Sequence, residues 1–221
     1  MTITMADGFF WLIVLAVAAV AAGSYFLGCF NGAVIVSKYI LRDDVRSHGS
    51  GNAGLTNFYR SFGGPLTAVV ILTDVLKAVL AVLLGQFLLG GAFGAEFAKY
   101  FAGLFCLIGH MFPFMFRFKG GKGILSGGTI AIMVDWRVAL VVWGGFVLLV
   151  LLTRYVSLGS VWAGGSFPFI TWYCFPAQPG VIVLSFFCGG LVVWQHRSNI
   201  RRLLQGNENK FSFRHKGEGT K

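Results

Sequence analysis

The sequence predicts an all-α polytopic membrane protein of about seven transmembrane helices, with the N-terminus outside and the C-terminus cytoplasmic. Three observations predict it. Apolar residues make up 56% of the 221-residue chain, and Phe alone occurs 23 times. Apolar runs near or above the ~18 residues needed to cross a bilayer recur along the sequence. Lys and Arg, which give a formal net charge of +10, fall between those runs. That spacing is the signature of the positive-inside rule and argues against nucleic-acid binding.

Apolar runs broken by Gly, Pro and charge place the helices at roughly 9–39, 65–89, 95–116, 123–135, 137–153, 158–175 and 179–195. The first reads as a retained span. Ala19-Val20-Ala21 resembles a cleavage site, but Asp7 stands where a signal has basic residues, and the run from Phe9 to Val36 is long. The second span carries Asp74 and Lys77 on one helix face, which reads as a self-neutralising pair. Only Asp135-Trp136-Arg137 separates the fourth and fifth, so one of them reads as partial or re-entrant. Residues 1–203 form a single integral membrane domain on this reading, and 204–221 a basic cytoplasmic tail. Four cysteines, Cys29, Cys106, Cys174 and Cys188, lie in apolar segments without CxxC spacing. They suggest neither a disulfide framework nor a metal site.

With the N-terminus outside, Lys38, Arg42, Arg46, Arg60, Arg117, Lys119, Lys122, Arg154 and the tail from Arg197 are cytoplasmic. The external side keeps Lys99 and Arg137, beside Asp7, Glu96 and Asp135. The polar segments HGSGNAGLTNFYR (48–60), FRFKGGKG (116–123), RYVSLGS (154–160) and QHRSNIRRL (195–203) then share one face.

Each segment has a chemistry. Lys119-Gly120-Gly121-Lys122-Gly123 sets backbone amides beside two ammonium groups just before a helix start, which suits a phosphate. Basic Gly-rich loops are also ordinary connections, and this one lacks the Walker A spacing. In 48–60, Gly49, Gly51 and Gly54 make a flexible turn, and Ser50 and Asn52 can bond a ligand. Arg60 can clamp a phosphate bidentately. The competing reading is a loop that caps a helix. His196 and Asn199 share a helical face if the last span continues. A lone His at a membrane edge is more often interfacial than catalytic, and His110 in GHMFPF is discounted in the same way. The chain has no GxSxG elbow, HExxH motif, tight carboxylate pair or HxxxxD motif. No metal-ligand cluster is evident, so no cofactor is expected.

Taken together, HGSGNAGLTNFYR, Asp74-Val-Leu-Lys77, GHMFPFMFRFKGGKG, YVSLGS and HRSNIRRLLQGNENK resemble the bacterial membrane acyl-phosphate:glycerol-3-phosphate acyltransferase family (PlsY), in the family's order. The resemblance implies seven spans in the bacterial plasma (inner) membrane and an active site facing the cytoplasm. It implies transfer of a fatty acyl group from acyl-phosphate to the 1-hydroxyl of glycerol 3-phosphate, giving lysophosphatidic acid and phosphate. The enzyme that supplies acyl-phosphate is then an expected partner.

Carried over residue by residue, Ser50, Arg60, His196 and Asn199 are the expected catalytic residues. Asn52, Asn57, Lys119, Gly120, Gly121, Lys122, Gly123, Ser157 and Ser160 are expected to bind substrate. Ala53 stands where the family commonly has Pro, and Leu55 where it commonly has Ala. Ile124-Leu-Ser-Gly replaces the more usual Val-Ala-Thr. Acyl-phosphate is already activated, so positioning and charge neutralisation can supply much of the catalysis. The hydroxyl proton goes to His196, with no carboxylate evident beside it, or to a substrate phosphate. The competing class is a transporter or channel for a phosphorylated metabolite. It needs a polar path through spans that carry little charge beyond Asp74 and Lys77, and no internal repeat supports it.

Overall fold

The computed structural model describes residues 5–211, and those residues form helices and loops without a strand. Helix α1 (Met5–Cys29) stops where the expected first span should continue. Asn31 breaks the run: its side-chain oxygen accepts from the Val34 amide at 3.1 Å and caps the four-residue α2 (Gly32–Ile35). A π-helical turn (Val36–Ile40) and a 3-10 turn (Val45–Ser47) lead into the polar loop. The expected helix over 9–39 is therefore two helical pieces with a capped break between them.

Short α3 (Leu55–Ser61) is followed by α4 (Leu66–Phe93) and α5 (Ala95–Met111), which pack on α1 and on each other. Helix α6 (Ile124–Val134) has 11 residues, roughly 16 Å at 1.5 Å per residue. That is about half the ~30 Å hydrocarbon core. It is the partial span the sequence suggested, wedged among α4, α5 and α7 (Trp136–Thr153). Helix α8 (Val156–Cys174) packs between α7 and α9 (Pro179–Gln195), and α10 (Arg197–Leu204) turns away from α9 by 56°. Among the described residues four helices are long and apolar enough to cross a membrane, or five if α9 and α10 count as one bent span.

Small residues let the helices approach where lipid offers no hydrophobic drive. A Cβ on Gly28 would lie 2.1 Å from the Cys106 carbonyl oxygen, and one on Gly109 2.0 Å from that of Tyr25, so α1 and α5 touch backbone to backbone. Helices α8 and α9 do the same, since a Cβ on Gly189 would lie 2.3 Å from the Gly164 carbonyl. A buried bond of 2.8 Å between the Tyr100 and Thr171 hydroxyls joins α5 to α8.

This packing makes a prediction. Gly28→Ala forces α1 from α5 and should cost about 1–3 kcal/mol, read as a lower unfolding midpoint in detergent. Gly165→Ala, where a Cβ meets nothing within 4 Å, should leave the midpoint unchanged or raise it.

Candidate active site

The loop 48–54 is built around one side chain. Asn57, in α3, is 3% exposed. Its oxygen accepts from the Ser50 amide at 2.9 Å, and its amide nitrogen faces the carbonyls of Val45 (3.0 Å), His48 (3.0 Å) and Asn52 (3.1 Å). Gly49 and Gly51 take φ of +54° and +70°, the left-handed region that favours glycine, and a Cβ on Gly49 would lie 2.4 Å from the Asn57 oxygen. Asn31 ties the loop to the break after α1 through a 2.9 Å bond to the Ala53 carbonyl. Asn57 therefore has no donor left for a ligand, and it shapes the loop that presents Ser50 and Asn52.

The glycine-lysine loop differs from a free anion cradle in the same way. The Gly120 and Gly121 amides donate to the Met111 and His110 carbonyls, each at 3.1 Å. A Cβ on Gly120 would lie 2.0 Å from the His110 carbonyl oxygen, and one on Gly121 2.2 Å from His110 Nε2. These two glycines are needed for close packing on the end of α5, and their amides are spent there. Lys119 is exposed and its carbonyl accepts from Arg46 at 3.3 Å. Lys119, Gly120 and Gly121 stand outside the lining of the cleft described next.

A cleft of about 240 Å³ opens where these segments meet. Ser50, Asn52, Asn57 and Arg60 line it from the first loop and α3, Lys122 and Gly123 from the second. Ser157 and Ser160 line it from the start of α8, and His196 and Asn199 from the α9–α10 corner. Ten of the thirteen expected site residues thus converge. Arg60 is exposed, and its side chain has neither a hydrogen bond nor an ion pair among the described residues, so its fork stands free at the rim. A smaller apolar crevice of about 30 Å³ between α6, α8 and α9 shares Gly123 and Ile124 with the cleft.

The basic edge is wired. Lys122 donates to the Asn199 side-chain oxygen. The Asn199 amide donates to Glu208 Oε1 at 2.8 Å, and Arg202 Nε to Glu208 Oε2 at 2.6 Å. Burial, with Arg202 and Arg197 nearby, pushes the Lys122 ammonium down to about 8. Burial opposes the charge on Glu208, but its bonds from Arg202 and Asn199 hold it below the usual carboxylate range. Past the end of α9, burial takes the His196 imidazole down to about 4 against a 2.8 Å bond from Nδ1 to the Val192 carbonyl. A carbonyl can only accept, so Nδ1 carries the proton and Nε2 holds the lone pair.

Four ionisable lining residues were not among the expected site residues: Asp74, His110, Arg202 and Glu208. Asp74 and Lys77 do pair, at 2.6 Å, but Asp74 also faces the cleft, and Lys77 bonds His110 Nδ1 at 2.7 Å. The nominal tail folds back through residue 211. The Phe211 amide donates to the Arg154 carbonyl at 2.7 Å, and its ring stacks on Tyr59 at 6.1 Å. That return brings Glu208 to the site, supplying the carboxylate the sequence did not show near His196. Residues 212–221 of the expected tail lie outside the described residues.

A family model described as glycerol-3-phosphate acyltransferase matches residues 14–206. The chain belongs to the glycerol-3-phosphate acyltransferase family. Glycerol-3-phosphate acyltransferase of Thermoanaerobacter pseudethanolicus is 39% identical over 187 residues, covering 85% of this chain and 91% of its own. That of Clostridioides difficile is 39% identical over 194 residues, covering 86% and 93%. Among solved structures, the glycerol 3-phosphate form of PlsY, an integral membrane glycerol 3-phosphate acyltransferase, superposes with a TM-score of 0.79. It has 31% identity and covers 89% of this chain and 96% of that one. The lysophosphatidic acid form gives 0.76 at 31% identity. The match is to the family the sequence segments resemble, and the chain is an integral membrane acyltransferase.

Proposed function

We propose that this acyltransferase moves a fatty acyl group from acyl-phosphate to the 1-hydroxyl of glycerol 3-phosphate, releasing lysophosphatidic acid and phosphate at the start of phospholipid synthesis. One observation carries the reading. A cleft bearing the free guanidinium of Arg60 and the Lys122 ammonium shares two lining residues with an apolar crevice between helices. That pairing suits a polar phosphorylated acceptor meeting a lipidic donor. The PlsY structures with glycerol 3-phosphate and lysophosphatidic acid support it by analogy.

In this mechanism Arg60 clamps a phosphate with its planar fork, and Lys122 neutralises charge on the departing phosphate. Ser50 and Asn52, on the Asn57-built loop, orient the acceptor. The hydroxyl proton passes to a phosphate oxygen. A phosphate monoester has a second pKa near 6, so it is the stronger base beside an imidazole held at about 4. His196 Nε2, a hydrogen-bond acceptor, then takes a bond from the 2-hydroxyl, which does not react, and so orients the acceptor.

Three expectations test this function. Purified protein in detergent should release phosphate from acyl-phosphate only when glycerol 3-phosphate is present; release without the acceptor would make it a hydrolase. Arg60→Ala should lower kcat/KM roughly ten- to a hundredfold, from the ~1.5–3 kcal/mol of a charge-assisted bond. Arg60→Lys should fall between it and the parent.

The pH profile of kcat/KM, which reports free enzyme and free substrate, should have two limbs. Lys122 is cationic below its depressed pKa and loses its charge as pH rises, so activity should fall above about 8. On the acid side activity should fall near 6, as the phosphate dianion protonates. Full activity persisting to near pH 4 would move the proton to His196.

The basic-residue asymmetry supports a cytoplasmic cleft and an external N-terminus. Cysteine introduced at exposed position 119 or 207 should react with an impermeant thiol reagent only after the membrane is opened; labelling in intact cells would reverse the orientation.

A further inference from the structure

The mechanism above leaves one buried polar cluster unused. Lys77 is 3% exposed and its Nζ has three acceptors: Asp74 Oδ1 at 2.6 Å, the Phe30 carbonyl at 3.0 Å and His110 Nδ1 at 2.7 Å. An ammonium has three protons and no lone pair, so the three acceptors use all of it. His110 Nδ1 must then be the accepting nitrogen. Asp74 Oδ1 stands 3.7 Å from that same nitrogen, outside hydrogen-bond reach, so the carboxylate does not claim a proton there. The remaining ring nitrogen, Nε2, carries the hydrogen.

The two histidines lining the cleft are therefore held in opposite tautomers. The Val192 carbonyl leaves His196 with an accepting Nε2, and the Lys77 ammonium leaves His110 with a donating one. His110 also sits at a particular depth. A Cβ on Gly123 would lie 4.0 Å from His110 Cδ2, the ring atom next to Nε2, Nε2 itself lies beside Gly121, and Gly123 belongs to both the polar cleft and the apolar crevice. The ring thus lines the cleft beside the residue where the polar and apolar spaces meet, the level at which the carbonyl of an acyl donor reaching the cleft from the apolar side falls.

We propose that His110 is a further catalytic residue, a fixed Nε2–H donor to the acyl carbonyl oxygen, with Lys77 as the residue that positions it. As the acceptor hydroxyl oxygen bonds to the acyl carbon, the carbonyl oxygen gains negative charge, and His110 stabilises it. The bond from that carbon to the phosphate oxygen then breaks, and phosphate leaves with the electron pair. The hydroxyl proton goes to a phosphate oxygen, and His110 keeps its own proton throughout. A neutral donor aimed at developing charge is worth about 10²–10³ in kcat.

This assignment rests on the acyl-phosphate reading for its substrate, while its tautomer stands apart from it. Full-length protein labelled with ¹⁵N-histidine should show His110, identified by loss of its signals in His110→Gln, with Nε2 protonated and Nδ1 bare. A protonated Nδ1 overturns the proposal whether or not the enzyme uses acyl-phosphate. In turnover, His110→Gln keeps an amide N–H donor and should retain kcat within about tenfold. His110→Phe has no donor and should lose about 10²–10³ in kcat, with KM for glycerol 3-phosphate little changed. Gln can also offer its amide oxygen to Lys77 in place of Nδ1, whereas Phe offers nothing, so equal losses in the two variants would reduce His110 to a structural role and overturn the proposal. Full activity in His110→Phe would overturn it too. If His110→Phe does not fold, the ¹⁵N pattern and the Gln variant still decide. Loss of the acyl-phosphate reading itself would show in the parent enzyme, as no transfer to glycerol 3-phosphate.

Discussion

The ammonium of Lys77, buried at membrane depth, is the interaction on which the rest depends. A lone charge there is costly, and breaking a buried pair costs about 3–5 kcal/mol. Three partners from three places resolve it: the Phe30 carbonyl freed where α1 breaks, Asp74 one turn earlier in α4, and His110 in the last turn of α5. Helix ends leave carbonyls unsatisfied, so the break after α1 and the buried lysine satisfy each other. Moving any one of the three elements would strand a charge or a carbonyl in an apolar interior. That constraint holds α1, α4 and α5 in register beneath the cleft.

Above this node the polar loops are organised by their own backbone. Asn57 holds four backbone groups of the first loop, and the end of α5 takes both glycine amides of the second. Arg46 joins the two, with a bidentate pair to Asp44 and a 3.0 Å bond to the Phe116 carbonyl. Rigid loops suit a site whose donors must be set before substrate arrives. They leave Arg60, Lys122, Ser50 and Ser157 to face the ligand, while the Ser160 hydroxyl donates to the Val156 carbonyl at 2.8 Å.

The third wall comes from the end of the chain. Residues 205–211 return across the cleft, with Glu208 bridging Asn199 and Arg202 and Phe211 anchored to Arg154 and Tyr59. A carboxylate placed between Arg202 and the Lys122–Asn199 pair offsets cationic charge that would otherwise crowd a small space. It also fixes the Asn199 amide so that its oxygen faces Lys122.

Composition and charge spacing by themselves determined the membrane class, the helical fold and the segments that meet in one cleft. Lipid forbids unsatisfied backbone, so long apolar runs can be little else but helices, and glycine, lysine and arginine clusters between them had to be loops. Asp135-Trp136-Arg137 also made legible that one of two neighbouring spans is partial, and the structure decided that it is α6. The tertiary structure alone decided which polar groups remain free. Asn57, Gly120 and Gly121 read as ligand groups because a sequence shows donors and not their partners, and packing consumed all three. Asp74, His110 and Glu208 read as structural, interfacial or tail residues because they are separated from the other site residues along the chain. Only the break at Asn31, the closeness of α4 to α5 and the returning C-terminal segment bring them to the cleft. Hydrophobic periodicity is a local property, whereas the pairing of buried charge is settled by what the fold places within 3 Å.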